Sequence, residues 1–323
     1  MSFSNIPFNN IVRFGQRTMI DQPLFSVSWI LGRFCNYKCS YCWPYANSSI
    51  PDYLDLNVYY NTINQIKYQA RLNGFTEFHW SFSGGEPTVY KNLNKLISYL
   101  NDSQSYQSLH MTTNLSPPYK YWKKWTTATR WLDRVSITAS FHTEFANEIE
   151  FANKILMLME QGIFVTINQV MIPSQFYDLY DRCKRFHDKG INVTLKPQSN
   201  VTASSIIDGY TDRMIDLMQE GFPQHVCGKE LYQISLFDKN DNNYQFDQAE
   251  RFNAFNFNQF NGWNCNSGFQ SVVIRGNEVK RSYSCYDEPL GTLTDGFELF
   301  NNPVICTTPR CVSSADSKIP KCR

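Results

Sequence analysis

Three cysteines crowd into the run Cys35-Asn36-Tyr37-Lys38-Cys39-Ser40-Tyr41-Cys42, a CxxxCxxC spacing. Thiolates this close together suit a soft metal, and one loop can turn all three towards a common centre. The set is one short of the four protein ligands that close a structural zinc site, and no further Cys or His follows nearby. Three thiolates on a four-iron, four-sulfur (4Fe-4S) cluster instead leave one iron open to another ligand. A second motif, Ser83-Gly84-Gly85-Glu86-Pro87-Thr88, closes a strand-like run. Its glycines permit close backbone approach, and a carboxylate follows them directly. Cys265, Cys285, Cys306, Cys311 and Cys322 form another group near the C-terminus. Cys183 lies in a helical pattern, where a small buried hydrophobe accounts for it. Cys227, in His225-Val-Cys-Gly, reads as an inert loop thiol or as a redox or substrate-facing one.

The scaffold that must position these groups is a folded one. Hydrophobic residues make up 42% of the 323, including 24 Phe, 19 Tyr and 7 Trp, which supports a large core and excludes disorder as the main state. No apolar run approaches the ~20 residues that span a bilayer, and no signal peptide is visible, so no membrane partner is expected. Ten cysteines are too few for a disulfide scaffold of this length, and the expected setting is the reducing cytoplasm. A net charge of +1 argues against a polyanion gripped on the surface. A nucleic-acid partner is therefore disfavoured, and only the local patch from Lys120 to Lys124 keeps a tRNA or nucleotide reading open. Asn and Gln are densest from Asp238 to Asn266, where interspersed Phe and Trp suggest a packed insertion.

Strand-like and helix-like runs alternate along the first two thirds of the chain. Strands are expected over Leu24 to Phe34, Thr76 to Ser83, Ser108 to Thr113, Arg134 to Phe141, Ile163 to Met171 and Ile191 to Pro197. Helices are expected over Asp55 to Asn73 and near 89–100, 119–131, 144–161 and 174–189. This is an α/β pattern with a parallel sheet, and the alternation alone does not choose between a barrel and an open sheet. One face of each strand is polar: Ser26 and Ser28; His79, Ser81 and Ser83; His110, Thr112 and Asn114; Ser136, Thr138, Ser140 and His142; Thr166 and Asn168; Asn192, Thr194 and Lys196. With the apolar faces turned to the helices, the polar faces line a solvated cavity suited to a substrate.

Together, Cys35, Cys39 and Cys42 after the first strand and Gly84-Gly85-Glu86-Pro87 after the second resemble the radical S-adenosylmethionine (SAM) superfamily, over about residues 24 to 200. The resemblance implies a partial (β/α)6 TIM-like barrel. It implies a 4Fe-4S cluster on Cys35, Cys39 and Cys42, whose open iron takes the amino and carboxylate groups of SAM. Gly84, Gly85 and Glu86 then meet the methionyl ammonium, and Tyr41 matches the position whose backbone meets the adenine. Ser140 resembles the ribose-contacting position, with Asn168 and Gln198 as further cofactor contacts. The implied activity is reductive cleavage of SAM to a 5′-deoxyadenosyl radical that abstracts a substrate hydrogen. An electron donor such as flavodoxin or ferredoxin is implied as a partner.

The C-terminal cysteines follow a hairpin pattern, Val272 to Ile274, a turn at Gly276-Asn277 and then Val279, which is expected to bring Cys265 and Cys285 together. This arrangement, with Cys306 and Cys311 beyond it, resembles the auxiliary-cluster extension called SPASM or its shorter Twitch form. It implies a second, auxiliary 4Fe-4S cluster on Cys265, Cys285, Cys306 and Cys311, with Cys322 as the alternative fourth ligand. Four thiolates also suit a closed zinc site, and that alternative stays open. The expected division is a lead-in over 1–23, the radical SAM core over 24–221, and an insertion plus auxiliary-cluster domain over 222–323. The expected reaction is net oxidation of a small polar substrate with the second cluster as electron relay. His79, His110, His142 and Lys196 are the candidate substrate contacts, and Lys196 could pair with a phosphate or carboxylate. A second reading is modification of a ribosomally made peptide. Against it, only about 23 residues precede the first strand, too few for a leader-binding domain. A third, of another class, is a structural module carrying zinc or a cluster, which leaves Glu86 without a purpose.

Overall fold

The computed structural model describes residues 8–43, 47–102, 104–201, 205–225, 234–246, 258–285 and 289–323. Strand β1 (Ile11–Gln16) and helix α1 (Arg17–Asp21) lead into alternating units: β2 (Leu24–Gly32), α2 (Leu56–Leu72), β3 (Glu77–Gly84), α3 (Leu93–Leu100), β4 (Gln107–Thr113), α4 (Tyr119–Thr129), β5 (Arg134–Phe141), α5 (Glu148–Glu160), β6 (Phe164–Met171), α6 (Phe176–His187), β7 (Asn192–Pro197) and α7 (Asp212–Glu220). Short strands follow: β8 (Ile234–Asp238), β9 (Asn243–Phe246), β10 (Asn264–Cys265), β11 (Ser271–Arg275), β12 (Glu278–Lys280), β13 (Gly291–Thr292), β14 (Gly296–Phe297), β15 (Val304–Ile305) and β16 (Lys321–Cys322), with helix α8 (Ser314–Ser317) before the last.

Strands β2 to β7 pair in parallel and in sequence order, giving the partial barrel. Strand alternation sorts the side chains. Val27, Trp29, Trp80, Phe82, Met111, Ile137 and Ile167 are buried, as are Ile63, Leu96, Trp122, Ile155 and Leu179 on the helices that cover the sheet. Along β3 and β6 every second residue is only half-buried, which is the polar, lumen-facing row. Helix starts follow their caps. Asp55 accepts from Asn57 N, and Asn147 accepts from Ile149 N and Glu150 N, so α5 begins at Glu148 rather than near 144. Helix α3 begins at Leu93 because Pro87–Val89 forms a separate 3-10 turn.

The C-terminal third joins the core at two places. The expected hairpin is present, with Ile274 opposite Val279, and its first strand β11 lies parallel to β2 with Val273 opposite Ser28. The barrel sheet therefore continues through β11, β12, β13 and β14 to ten strands. A second sheet runs in the order β15-β10-β16-β1-β8-β9, so the lead-in segment supplies a strand at its centre. Side chains fix the joint: Gln270 Nε2 donates to Met19 O at 2.6 Å and Leu24 O at 3.1 Å, and Asn73 Nδ2 donates to Phe300 O at 2.8 Å. The stretch 247–257 of the expected insertion, and Cys227, lie outside the described residues. Cys183 is buried among apolar side chains of α6, as its helical pattern suggests.

Ile274 is fully buried at the β2–β11 seam. Ile274→Ala is expected to cost about 2–5 kcal/mol in urea unfolding, with core and C-terminal probes melting together. A loss confined to C-terminal probes would contradict a continuous sheet.

Candidate active site

The site is built where β2 and β3 end. Gly85 N donates to Gly32 O and Glu86 N to Phe34 O, both at 2.9 Å. These bonds need bare backbone. A Cβ on Gly84 would lie 2.1 Å from Gly32 O, one on Gly85 would lie 2.3 Å from Phe34 O, and Gly84 has φ +131°. Only glycine fits there. The bonds dock the end of β3 directly against the chain that runs into Cys35.

Glu86 is buried and meets four donors. Oε1 accepts from Thr88 N at 3.0 Å, Thr88 Oγ1 at 2.5 Å and Thr113 Oγ1 at 2.7 Å, while Oε2 accepts from Asn114 N at 2.6 Å. Burial pushes its carboxyl above the usual range, against the pull of those donors. Oε2 has one protein donor and room for another. Asn114 in turn donates to Asn36 Oδ1 at 3.0 Å, and Asn36 donates to Ser116 Oγ at 2.9 Å.

The cysteine loop is pinned from three further directions. Ser40 gives its N–H and hydroxyl to Glu144, the latter at 2.5 Å. His142 Nδ1 lies 2.8 Å from Tyr41 OH and 3.3 Å from Cys39 Sγ, with its ring stacked on Tyr41. Trp43 Nε1 donates to Ser199 Oγ at 3.0 Å, beyond the end of β7. The loop thus crosses the C-terminal mouth of the barrel. Burial raises all three thiols, Cys39 to about 12; Cys42 adds to the rise of Cys35 and Cys39, and Cys35 to that of Cys39. Ionising thiols raised in this way calls for a group that brings positive charge of its own. Three half-buried to exposed thiols on one loop fit a cluster with an open iron.

Parallel register sets Ser140, Asn168 and Thr194 side by side on the lumen face near the mouth. Lys196 lies next to Val170 one step further along, and Gln198 follows β7 with its N–H held by Tyr210 OH at 2.8 Å. His79 and His110 lie deeper. Ser108 Oγ lies 2.9 Å from His79 Nδ1 and 3.4 Å from Phe78 O; in the tautomer with the proton on Nδ1 the ring donates to Ser108 and leaves Nε2 as an acceptor. His110 is engaged at both nitrogens, by Ser136 Oγ at 2.9 Å and Thr138 Oγ1 at 3.2 Å. His142 belongs to the cysteine loop rather than to the lumen. Sequence reading did not assign roles to Thr88, Thr113 or Glu144. Thr88 bonds Glu86 locally, two residues on, whereas Thr113 and Glu144 lie far along the chain from Glu86 and Ser40 and reach them only in the fold.

The second cysteine group gathers at the small sheet. Cys265, Cys306 and Cys311 are buried together, and Thr308 Oγ1 donates to Cys285 Sγ at 3.6 Å. Burial raises Cys306, which also feels Cys265 and Cys285, and burial pushes Cys311 up to about 12. Cys265 pairs with Lys321 across β10–β16, whereas Cys322 pairs with Asn264 and so projects from the opposite face. Register thus sets Cys322 and Cys265 on opposite faces of the small sheet. Among the described residues, no three Cys, His, Asp or Glu side chains close around a point fit for one ion.

Two outcomes follow from this geometry. In Glu86→Gln the amide NH2 must face a donor whichever way it turns, so a loss of about 1–3 kcal/mol is expected in urea unfolding, and an unchanged midpoint would contradict the bonding described. Burial holds His79 at about 3 and His110 at about 4, below the usual ~6.5. The folded state therefore refuses protons that the unfolded chain accepts, and stability present at neutral pH is lost as pH falls from ~6.5 towards those values. The double variant His79→Gln, His110→Gln should lose less stability than the parent between pH 8 and pH 5, and parallel losses would contradict it.

Comparison with known proteins agrees with this geometry. The model of the radical SAM superfamily matches residues 29–220. A search of curated protein sequences returned no match. Among solved structures, native anSMEcpe with bound AdoMet is 16% identical, over 85% of this chain and 79% of that one, with a TM-score of 0.54. The same protein with AdoMet and the Kp18Cys peptide is 15% identical, over 85% and 78%, with a TM-score of 0.53. SuiB of Streptococcus suis bound to S-adenosylmethionine is 15% identical, over 84% of this chain and 63% of that one, with a TM-score of 0.51. At such identities the likeness establishes the fold, and the matched model, which spans more than half of the residues, establishes the family: the chain belongs to the radical SAM superfamily.

Proposed function

We propose that the protein is a radical SAM oxidoreductase that removes a hydrogen atom from a small polar substrate held in the barrel lumen and passes the remaining electron to a second, auxiliary cluster. The observation that carries this reading is the mouth of the barrel, where the cysteine loop and the Gly84-Gly85-Glu86 edge are locked together by Gly85 N–Gly32 O and Glu86 N–Phe34 O. A 4Fe-4S cluster with SAM, when bound, supplies the hydrogen-abstracting 5′-deoxyadenosyl radical.

Cys35, Cys39 and Cys42 would hold that cluster. Glu86 Oε2, buried and without a cationic partner among the described residues, would accept from the methionyl ammonium, while Gly84 and Gly85 keep the backbone bare beside it. Tyr41, Ser140, Asn168 and Gln198 surround the mouth at positions suited to the adenosine. Below them the half-buried polar row gives the substrate its walls, and His79 Nε2 offers a hydrogen-bond acceptor to a hydroxyl or amine. Its depressed basicity favours that role over proton abstraction. Cys265, Cys285, Cys306 and Cys311 stand where a second cluster, when bound, would take up the electron left on the substrate, and a proton released to solvent would balance a two-electron oxidation. Cys265, Cys285, Cys306 and Cys311 would hold the second cluster, with Cys322 set apart by its face of β16. A flavodoxin- or ferredoxin-type carrier would supply the initiating electron.

A peptide substrate is the second reading. It is favoured by the structural likeness to anSMEcpe, which has been captured with AdoMet and the Kp18Cys peptide.

Anaerobic reconstitution should load about eight irons per chain if two clusters form and about four if one does. The reduced protein should convert SAM to 5′-deoxyadenosine, and Cys39→Ala should abolish that conversion. Zinc without iron, or undiminished 5′-deoxyadenosine from Cys39→Ala, would overturn the assignment.

A further inference from the structure

Lys321 is 2% exposed, and among the described residues its ammonium has no carboxylate partner within ion-pair distance. Its Nζ donates to two backbone carbonyls, Asp316 O at 2.9 Å and Ile319 O at 2.8 Å. The third side is aromatic: Nζ lies 4.6 Å from the Phe260 ring centroid and 5.6 Å from that of Phe14, two rings that pack against each other at 5.0 Å. The nearby carboxylate of Asp316 is turned to Ser284 N, at 2.7 Å, and makes no ion pair with the lysine. Carbonyls and ring faces offer partial negative charge only. A buried ammonium so placed is costly until a full negative charge joins it.

The position of that missing charge is marked by register. Lys321 stands directly opposite Cys265 in the β10–β16 pair and opposite Phe14 in the β1–β16 pair, so the three side chains share one face of the sheet. Cys306 and Cys311 lie in the same buried cluster, and the lysine's charge works against the burial that raises both thiols. Four thiolates around either a 4Fe-4S core or a zinc ion carry net negative charge.

We infer that Lys321 is the built-in counter-ion of the second cysteine site, selecting an anionic metal–thiolate group there and, when that group is redox-active, raising its reduction potential. This rests on the reading of the second site as an auxiliary cluster. The reduced group holds one more negative charge than the oxidised one, so a fixed cation in a low-dielectric pocket stabilises the reduced form more. The device suits a group that must accept an electron from a substrate radical. It is a positioning role for charge, with no contact to substrate.

The test is an EPR-monitored redox titration of the reconstituted full chain, comparing Lys321→Met, which keeps the length and removes the charge, with Lys321→Arg, which keeps the charge. Lys321→Met should retain about eight irons. Its second cluster should move to a more negative potential while the SAM-site cluster stays at the parent value, and Lys321→Arg should stay close to the parent at both. Equal potentials in parent and Lys321→Met, or equal shifts in Met and Arg variants, would overturn the inference and leave the auxiliary cluster standing. A parent with only about four irons removes the auxiliary cluster and the inference together. Should Lys321→Met fail to accumulate as folded protein, Lys321→Gln supplies the neutral variant and the same comparison decides.

Discussion

Everything at the mouth of this barrel depends on two backbone hydrogen bonds that no side chain could tolerate nearby. The Gly85 and Glu86 N–H groups reach the carbonyls of Gly32 and Phe34 across a gap that a Cβ would fill. That contact sets the start of the cysteine loop against the end of β3, and it fixes where Glu86 points. Glu86 then ties β3 to β4 through Thr113 and Asn114, and Asn114 returns to the loop at Asn36. The circuit is closed, so the buried carboxylate and the start of the cysteine loop are held in one hydrogen-bonded frame. A site that must hold a reactive radical away from water gains from such preorganisation.

The same logic links the two ends of the molecule. Strand β11 adds to the barrel sheet beside β2, and the segment after the hairpin sends Tyr283 into the lumen, where its hydroxyl lies 3.2 Å from Ser28 Oγ. Cys285 follows two residues later. The lumen and the second cysteine group are therefore joined through one short stretch of chain. Strand β1 completes the joint, since the small sheet that carries Cys265 and Lys321 is built around it.

Much of this was legible in the sequence, for local reasons. Period-two alternation located the six core strands to within two residues at either end, because each has one face against helices and one against the lumen. The CxxxCxxC spacing and the paired glycines were visible because each motif is contiguous. What stayed hidden was made by pairing distant segments. Nothing local marks Ile11–Gln16 as a partner of Ile234–Asp238 and of Lys321–Cys322, or Ser271–Arg275 as a parallel neighbour of β2. Thr88 meets Glu86 locally, but its donors Thr113 and Asn114 follow from β4 and the anchors of Ser40 and Tyr41 from the end of β5, so those roles appear only once β3, β4 and β5 stand side by side. His79, His110 and His142 were each expected as candidate substrate contacts; in the fold His142 lies against the cysteine loop, His110 is engaged at both nitrogens, and His79 Nδ1 meets Ser108.

The central claim is that the cysteine loop and the glycine-glycine-glutamate edge form one SAM site. EPR of the anaerobically reconstituted, dithionite-reduced protein tests it most directly, recorded without and with SAM in a Cys306→Ala background that leaves only the mouth cluster. The account predicts that SAM changes the signal, and that the change disappears when Gly85→Val pushes the β3 end off Phe34. A spectrum that SAM leaves untouched, or one that still responds in Gly85→Val, would contradict it.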